Sequence, residues 1–267
     1  MRAGFFTGKL PSPMKILLTN DDGIEASGLH ATYDAIRDLG EVHVVAPARV
    51  QSATSHAITL HRSIEVTPYT SDKFNGFAVD GRPADCVKLA LAELVGPVDL
   101  VISGINHGAN VGINVHYSGT VGAAREAAFQ GVPAIALSLH LGDKTQDHYV
   151  RAAGHARRAV DLILQTGIDE GVLINVNVPI LDEGSEPVGI KAVPLNTSPM
   201  HDRFTKAEGA GGTTIYQPHD SMAFTDRGQG TDVDTLYAKY ITLTPLHYEQ
   251  TDTDALSRLQ GTLDNSA

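Results

Sequence analysis

Short apolar runs alternate with amphipathic stretches along the first two-thirds of the chain. The runs at residues 16–19, 41–47, 98–103, 134–139 and 172–178 have the length and the β-branched content of buried strands. Between these runs, apolar residues recur at helical spacing, and glycine or proline marks most boundaries. The alternation predicts an α/β fold in which a mostly parallel sheet is covered by helices on both faces.

Two segments interrupt this alternation. Residues 59–67 and 74–79 are strand-like and are joined by a polar turn, which predicts an antiparallel hairpin. Residues 81–85 then open a helix, because the proline in this segment suits a first helical turn. The next strand, at 98–103, is expected to end at Gly104.

Beyond about residue 185 the pattern weakens. Residues 205–232 are rich in glycine, threonine and aspartate, with short strands predicted near 213–217 and at 240–246. We therefore divide the chain into three parts, which are a flexible N-terminal extension, an α/β catalytic core, and a C-terminal appendage with a β-hairpin and an arm used in oligomerisation. Their predicted bounds are 1–13, 14–185 and 186–267.

The composition is that of an ordinary soluble globular protein, with 42% hydrophobic and 19% charged residues among 267. No apolar run approaches the roughly 20 residues that span a bilayer, and the first 13 residues lack the apolar core of a signal peptide. The only cysteine, Cys86, excludes an internal disulfide and a zinc–thiolate site built from this chain. We therefore expect a cytoplasmic protein with no membrane partner.

A formal net charge of −11 argues against a broad electrostatic grip on nucleic acid, which needs clustered lysine and arginine. We therefore expect no nucleic-acid partner. The charge does not exclude a small phosphorylated substrate, since a bound cation would invert the local field.

The first strand ends in two adjacent carboxylates and a glycine, Asp21-Asp22-Gly23. In an open α/β sheet, the carboxyl ends of the strands form the edge where ligands bind. Adjacent carboxylates repel each other, and a divalent cation between them removes that cost. A solvated Asp-Asp-Gly turn is the other interpretation, and the motif alone does not decide between the two.

Three more polar segments, 46–53, 103–110 and 117–120, fall at predicted strand ends or just ahead of a helix. Strand ends of one parallel sheet share one edge, so these segments can converge with the aspartate pair on one crevice. Oxygen ligands favour Mg²⁺, Mn²⁺ or Ca²⁺ over zinc. The candidate oxygen ligands are Asp21, Asp22, Ser52 and Asn106.

The same segments also provide for an anion. Gly104, Gly108 and Gly119 allow backbone N–H groups to approach it closely. Ser118 and Thr120 flank the start of a helix, whose N-terminus is a natural phosphate site. Either hydroxyl can instead be only an N-cap, and that interpretation stays open.

Several longer segments resemble the SurE family, in family order from about Met14 to Leu246. They read Thr-Asn-Asp-Asp-Gly-Ile at 19–24, Val-Val-Ala-Pro at 44–47, Gly-Arg-Pro-Ala-Asp-Cys-Val at 81–87, Ser-Gly-Ile-Asn-His-Gly-Ala-Asn at 103–110 and Tyr-Ser-Gly-Thr-Val-Gly-Ala-Ala-Arg-Glu at 117–126. The match continues at 175–179, 230–232 and 241–246.

The resemblance implies a Rossmann-like three-layer α/β/α fold and a divalent-metal-dependent phosphatase that acts as a 5′/3′-nucleotidase. It implies a cytoplasmic enzyme that forms a homodimer or homotetramer, partly through a C-terminal arm. The expected substrates are nucleoside 5′- and 3′-monophosphates, with short polyphosphate as a further candidate. The expected cofactor is one Mg²⁺ or Mn²⁺ per subunit, with Ca²⁺ able to take its place in crystals.

Carried over residue by residue, the resemblance assigns roles to nine positions. The implied metal ligands are Asp21, Asp22, Ser52 and Asn106, of which Asp21, Asp22 and Asn106 are also implied to be catalytic. The implied phosphate-binding residues are Asn20, Gly104, Ser118, Gly119 and Thr120.

The sequence also departs from the family pattern. Ala48 stands where the family usually has an aspartate, and Gln51 stands where an arginine is common. Residues 112–116 read Gly-Ile-Asn-Val-His, where the family often has Gly-Asp-Asp-Val. These changes surround the site and keep open the alternative of a non-catalytic nucleotide- or phosphate-binding module.

Two other enzyme classes fit less well. Aspartyl-phosphate phosphatases typically space their two aspartates by one residue, whereas Asp21 and Asp22 are adjacent. A nucleotide-dependent oxidoreductase would need a Gly-x-Gly-x-x-Gly fingerprint in the first strand-to-helix turn, and none is present. His107, beside Asn106, is either an acid for the leaving oxygen or a rim histidine without a catalytic role.

Overall fold

A computed structural model describes residues 13–140, 148–200, 203–218 and 224–265. Its centre is a nine-stranded sheet in the order β3-β4-β2-β1-β5-β6-β7-β11-β8, and β9 and β10 form a separate hairpin. The strands are β1 Met14–Thr19, β2 Gly40–Pro47, β3 Val66–Thr70, β4 Asn75–Val79, β5 Leu100–His107, β6 Ala134–Leu139, β7 Val172–Val178, β8 Ile190–Ala192, β9 Phe204–Glu208, β10 Thr214–Pro218 and β11 Ile241–His247.

The sheet is mostly parallel, as the sequence predicted. Strand β1 pairs in parallel with β2 and β5, and parallel pairing continues through β6 to β7 and from β2 to β4. Only β3 against β4 and β11 against β7 are antiparallel in the central sheet. The carboxyl ends of β1, β2, β5, β6 and β7 therefore share one edge.

Helices cover both faces of this sheet. They are α1 Ser27–Ile36, α2 Pro83–Leu89, α3 Gly119–Phe129, α4 His148–Thr166, α5 Asp232–Tyr237 and α6 Thr253–Asp264, with a π turn at Ala90–Leu94 and 3₁₀ turns at Gly112–His116 and Ala210–Gly212. Successive side chains of a strand point to opposite faces. Accordingly, Ile16 and Leu18 join the core under α1 and α4, whereas Leu17 joins the core under α2 and α3. This is a three-layer α/β/α architecture.

Two predicted strand boundaries were wrong, and each has a physical cause. The segment predicted as a strand at 59–67 forms one only from Val66, because the backbone N–H and hydroxyl of Thr59 donate to Asp85 at the start of α2. Strand β5 continues past Gly104 to His107, because its pairing with β6 resumes after a bulge. Helix α6 and strand β8 were not predicted.

The C-terminal part divides between two environments. Strands β8 and β11 join the central sheet, whereas every residue of β9 and β10 is exposed and no residue of α6 is buried. The division of the chain at residue 185 remains a prediction, and residues 1–12 of the predicted N-terminal extension lie outside the described residues. Within the described ranges, none of the helices combines the length and the apolar character needed to cross a bilayer.

Candidate active site

The turn after β1 is fixed by its own side chain. The Asn20 amide nitrogen donates to the Gly23 carbonyl over 2.9 Å, and the Asn20 amide oxygen accepts the Gly23 N–H over 3.2 Å. Gly23 has φ +100°, a backbone conformation that favours glycine. The segment is thus a turn, and it presents Asp21 and Asp22 at the carboxyl edge of the sheet. Asn20 contributes to the site by fixing the turn that carries the two aspartates.

Asp21 is nearly enclosed, with 6% of its surface exposed. Burial raises the pKa of its carboxyl to about 6, opposed by a hydrogen bond that the Thr120 hydroxyl donates to Oδ1 and reinforced by the charge of Asp22. A Cβ on Gly119 would lie 2.9 Å from the Asp21 Cβ and 3.0 Å from Oδ2. Gly119 therefore allows the carboxylate to reach the start of α3, and Thr120 holds it there.

Asp22 is half-buried, and its Oδ2 accepts the backbone N–H of His107 over 2.9 Å. Burial raises the pKa of its carboxyl despite this hydrogen bond and the nearby imidazole. The ionised forms of these two neighbouring carboxylates are therefore both disfavoured. A bound cation would stabilise them.

The bulge in β5 brings Asn106 to the same edge. The Asn106 amide nitrogen donates to the Gly108 carbonyl over 2.8 Å, which leaves its amide oxygen as the ligand-capable atom. Gly104, one step inside the bulge, is buried, and a Cβ there would lie 2.2 Å from the Leu137 carbonyl. Glycine is thus required at position 104 for packing against β6. Gly104 contributes to the site by allowing this packing beneath the bulge.

The loop after β2 carries Ser52 to the site. The Gln51 N–H donates to the Asp21 carbonyl over 2.7 Å, and the Ser55 N–H donates to the Tyr117 carbonyl over 2.9 Å. Gln51, one of the departures from the family pattern, also accepts a 2.7 Å hydrogen bond from the Arg82 guanidinium. The loop is therefore hydrogen-bonded to the turn after β1 and to the residues just before α3, and Ser52 is exposed between these two contacts.

Ser118 is the N-cap of α3, because its hydroxyl oxygen accepts the Val121 N–H over 3.1 Å. Thr120 has another role, since its hydroxyl is directed to Asp21. The N-cap interpretation is therefore correct for Ser118, yet this side chain also faces the cavity described next. The N-terminus of α3, which carries a partial positive charge, therefore lies beside the negatively charged carboxylates.

A cavity of about 350 Å³ opens at this edge of the sheet. Four of the nine predicted site residues line it, namely Asp21, Ser52, Asn106 and Ser118. The remaining five, Asn20, Asp22, Gly104, Gly119 and Thr120, are not in its lining; the turn, the bulge and the start of α3 place them around it. The lining also includes His107 and Gly108, which the sequence analysis considered without counting them among the nine. It further includes residues to which the sequence analysis gave no role: Ala53, Ala109, Asn110, Asn114, Tyr117 and Met200.

A buried asparagine network supports the loop after β5. Asn110 donates its backbone N–H to the Asn177 side chain over 2.8 Å and its amide to Ser138 over 2.8 Å. Its carbonyl accepts the amides of Asn175 and Asn177. The motif at 175–179 was a signal for this network, but its role could not be seen without the partners.

Asp232 anchors the other end of this loop. Its carboxylate is fully buried and accepts backbone N–H groups of Gly112, Asn196 and Val233 over 2.7–2.9 Å. Burial raises the pKa of the carboxyl, and these hydrogen bonds oppose the shift. Asp232 thereby connects the C-terminal segment to the 3₁₀ turn that precedes Ser118.

The donor set fits a hard divalent cation. No group of three or more His, Cys, Asp or Glu side chains in the described part of the chain is arranged to hold a metal. The candidate ligands are instead two carboxylates, the Asn106 amide oxygen and the Ser52 hydroxyl, all of them oxygen donors. Mg²⁺ and Mn²⁺ prefer such ligands and retain waters for the positions that the protein leaves open.

A second cavity lies farther along the edge, between the ends of β6 and β7 and the start of α4. It is lined by Leu139, His140, His148, Arg151, Ala152, His155, Val178, Pro179, Ile180 and Leu181. Among the described residues, this lining contains no carboxylate and is largely apolar. The aspartate pair therefore identifies the first cavity as the candidate active site.

Comparison with known proteins identifies the family of this chain. The family model "Survival protein SurE" matches residues 16–202. The chain is 41% identical to the 5′-nucleotidase SurE of Heliobacterium modesticaldum, over 90% of this chain and 88% of that protein. It is 42% identical to the 5′-nucleotidase SurE of Rhodopirellula baltica, over 92% of this chain and 98% of that protein.

A solved structure extends the agreement to the fold. The crystal structure of SurE from Aquifex aeolicus superposes with a TM-score of 0.80 at 32% sequence identity, covering 93% of this chain and 99% of the other. The nine-stranded α/β architecture and the predicted family motifs are thus found together in one chain, which belongs to the survival protein SurE family.

Proposed function

We propose that this protein is a metal-dependent phosphomonoesterase that hydrolyses nucleoside 5′- and 3′-monophosphates to nucleoside and phosphate. The observation that carries the proposal is the aspartate pair, set with Asn106 and Ser52 around a cavity at the N-terminus of α3. The relatives named 5′-nucleotidase SurE support the same substrate class.

The proposed cofactor is one Mg²⁺ or Mn²⁺ per subunit, with Asp21, Asp22, Ser52 and Asn106 as its protein ligands. When bound, such a cation polarises the phosphate and lowers the pKa of a coordinated water. The buried Asp21 carboxylate, held by Thr120, and the Asp22 carboxylate, held by the His107 N–H, keep the negative charge of the site in place.

The protein's own groups would position the phosphate. Ser118 and the first N–H groups of α3 meet an anion at the positive end of the helix. Their fixed orientation stabilises charge that develops on the non-bridging oxygens, with no reorganisation during the reaction. Asn20, Gly104, Gly119 and Thr120 would contribute by holding the turn, the bulge and the helix start around this pocket.

The assembly that we propose is a homodimer or homotetramer in the cytoplasm, formed partly through the C-terminal arm. Exposed apolar side chains on β9, β10 and α6 support this part of the proposal; they are Phe204, Ile215, Tyr216, Leu256, Leu259 and Leu263. Short polyphosphate is a further proposed substrate, since the cavity recognises phosphate oxygens and its mouth is open.

The test is phosphate release from nucleoside 5′- and 3′-monophosphates by chelator-treated protein, with and without added Mg²⁺ or Mn²⁺. Activity should return only with the cation, and Asp21→Asn should abolish it. Asp72→Asn, at an exposed position away from the site, is the control and should behave as the wild type. Nucleotide binding without turnover under every condition would refute the enzyme and favour the non-catalytic binding module.

A further inference from the structure

The imidazole ring of His107 is a cavity-lining group that the proposed function does not use. His107 lines the candidate active site and is exposed at its mouth. Its backbone N–H is bound to Asp22, but its ring is held separately, because the Nδ1 atom lies 2.5 Å from the Tyr149 hydroxyl. The ring therefore has a fixed position beside the substrate cavity.

Tyr149 is built into the core. It lies in the first turn of α4 with 9% of its surface exposed, and its ring packs with the apolar cluster under α1 and α4. A Cβ on Gly28, at the start of α1, would lie 3.2 Å from the Tyr149 ring. A hydroxyl held this rigidly imposes its geometry on its exposed partner, rather than the reverse.

The tautomer of His107 depends on whether the Tyr149 hydroxyl donates to Nδ1 or accepts from it, and we take the hydroxyl as the donor. Burial, followed by the charge of Asp22, raises the pKa of the Tyr149 hydroxyl to about 12, so it remains protonated at neutral pH. Its one hydrogen-bond partner among the described residues is His107 Nδ1. A hydroxyl that donates to Nδ1 requires a lone pair there, so the neutral ring carries its proton on Nε2.

The residues that line the cavity are buried at its inner end and exposed at its mouth. This difference decides which substrate atom the Nε2–H of His107 would contact. Asp21 and Ser118, beside the helix N-terminus, are 6% and 7% exposed, whereas His107 is exposed. A phosphate bound at the buried helix start would have its ester oxygen, and the nucleoside on it, on the side of the exposed mouth. His107 is thus placed to meet the ester oxygen rather than the non-bridging oxygens.

We propose that His107 is a catalytic residue whose Nε2–H donates a hydrogen bond to the leaving oxygen, and that Tyr149 is the positioning residue that fixes this tautomer. The inference rests on the proposed function. As water attacks phosphorus, the ester P–O bond breaks and its electron pair stays on the leaving oxygen. The hydrogen bond stabilises that charge, and solvent at the mouth supplies the proton of the product hydroxyl.

The first experiment reads the tautomer directly. In metal-free protein, long-range ¹H–¹⁵N NMR of the imidazole should show His107 protonated at Nε2. Tyr149→Phe should turn this signal into a mixture of tautomers, while the protein remains folded by circular dichroism. A His107 ring protonated at Nδ1 in the wild type, or a signal unchanged in Tyr149→Phe, would overturn the proposal.

The second experiment uses the leaving group. His107→Ala should lower kcat for a nucleoside 5′-monophosphate roughly 100-fold, the order expected for one donor to developing charge. It should lower kcat for p-nitrophenyl phosphate less than about 3-fold, because that leaving group needs little stabilisation. Tyr149→Phe should show the same selectivity with a smaller loss, and His61→Ala, at an exposed position elsewhere, is the control.

Equal losses on both substrates would mean that His107 is merely structural and would overturn the proposal. Failure of the proposed function looks different, since the wild-type protein with Mn²⁺ would then hydrolyse neither substrate. The two failures are therefore distinguishable in one set of assays.

Discussion

The carboxyl edge of the sheet and the exposed C-terminal elements, which are β9, β10 and α6, are built in opposite ways. At the edge, Asp21, Asn110 and Asp232 are buried polar residues, and each is held by hydrogen bonds to its neighbours. In the hairpin β9–β10 every residue is exposed, and α6 buries none. Buried polar groups are costly when they lose a partner, whereas exposed positions tolerate change.

This difference separates two kinds of function. The edge can hold reacting groups in one geometry because its polar atoms have few alternatives. The hairpin and α6 offer apolar area that a single chain leaves exposed, which suits contact with another chain. Substitutions in the two regions should therefore have effects of different kind and size.

Among substitutions that leave the four proposed metal ligands in place, the largest effect is expected at Gly119. A methyl group there would lie 2.9 Å from the Asp21 Cβ, so Gly119→Ala must displace the carboxylate. A displacement approaching 1 Å costs about 100-fold in rate, and we expect this loss in kcat/KM for nucleoside monophosphate hydrolysis. The same clash should lower the free energy of unfolding by roughly 1–3 kcal/mol, offset in part by the helix propensity of alanine.

Gly154→Ala is the matched control for this change. Gly154 lies in α4, and a Cβ there would meet nothing within 4 Å. The variant should retain full activity and gain up to about 1 kcal/mol of stability. Wild-type activity in Gly119→Ala would refute the close approach of α3 to Asp21.

The next largest effect concerns Asp232. Removing its carboxylate in Asp232→Ala leaves three buried backbone N–H groups without their partner. At 1–3 kcal/mol for each, the free energy of unfolding in urea should fall by roughly 3 kcal/mol or more. Asp234→Ala removes an acceptor for a single exposed N–H, and should cost less than about 1 kcal/mol.

A smaller effect depends on pH. The Glu126 side chain, 5% exposed, lies 2.8 Å from the imidazole of His56. Burial would raise the pKa of this carboxyl, but the hydrogen bonds from His56 and Gln130 and the charge of Lys88 lower it overall. A lowered pKa contributes stability above the ordinary value of 4.5, which is lost as the pH falls through the folded-state pKa.

His56→Ala should therefore reduce the free energy of unfolding by about 1–2 kcal/mol at pH 7 and by much less once the pH is below the folded-state pKa of Glu126. Chemical denaturation across this pH range makes the measurement. Glu126→Gln should remove most of the pH dependence of the difference. A penalty that is the same at pH 7 and below this pKa would mean that packing, rather than charge, connects these residues.

The smallest effect on hydrolysis is expected in α6. Leu259 and Leu263 are 64% and 69% exposed, so replacing both with serine should change the stability of one chain by less than about 1 kcal/mol. If the C-terminal arm mediates assembly, light scattering should show a lower molar mass for this variant. An unchanged molar mass together with a loss of hydrolysis would contradict the assignment of assembly to α6 and of catalysis to the edge of the sheet.

The sequence predicted the layers of the fold because burial leaves a direct pattern. Apolar strands such as Ile16–Leu18 contribute to both cores, and the alternation of their neighbours with helices identifies a parallel sheet. It could not predict that Thr59 would bind Asp85 instead of entering a strand, since these residues meet only through the tertiary fold. Nor does an exposed helix such as α6 leave a core pattern to detect.

At the candidate site, the sequence predicted which residues lie at the edge of the sheet, but it did not predict the separate role of each residue. Residues next to a strand end, such as Asp21 and Asn106, were predicted from position and motif. The role of Gly119 as space for the Asp21 carboxylate, and of Tyr149 as the partner of His107, depends on distances across the sheet edge. Spacing along the chain carries no record of those distances.

The central claim is that the aspartate pair forms half of a binding site for a hard divalent cation, and that hydrolysis requires this cation. The most direct test is calorimetric titration of chelator-treated protein with Mn²⁺, followed by phosphate release from a nucleoside monophosphate in the same samples. Wild-type protein should bind one Mn²⁺ per chain and turn over substrate, and Asp22→Asn should bind Mn²⁺ at least about 100-fold more weakly and lose turnover. Equal Mn²⁺ affinity in the two proteins, or full wild-type turnover in the chelator, would contradict the account.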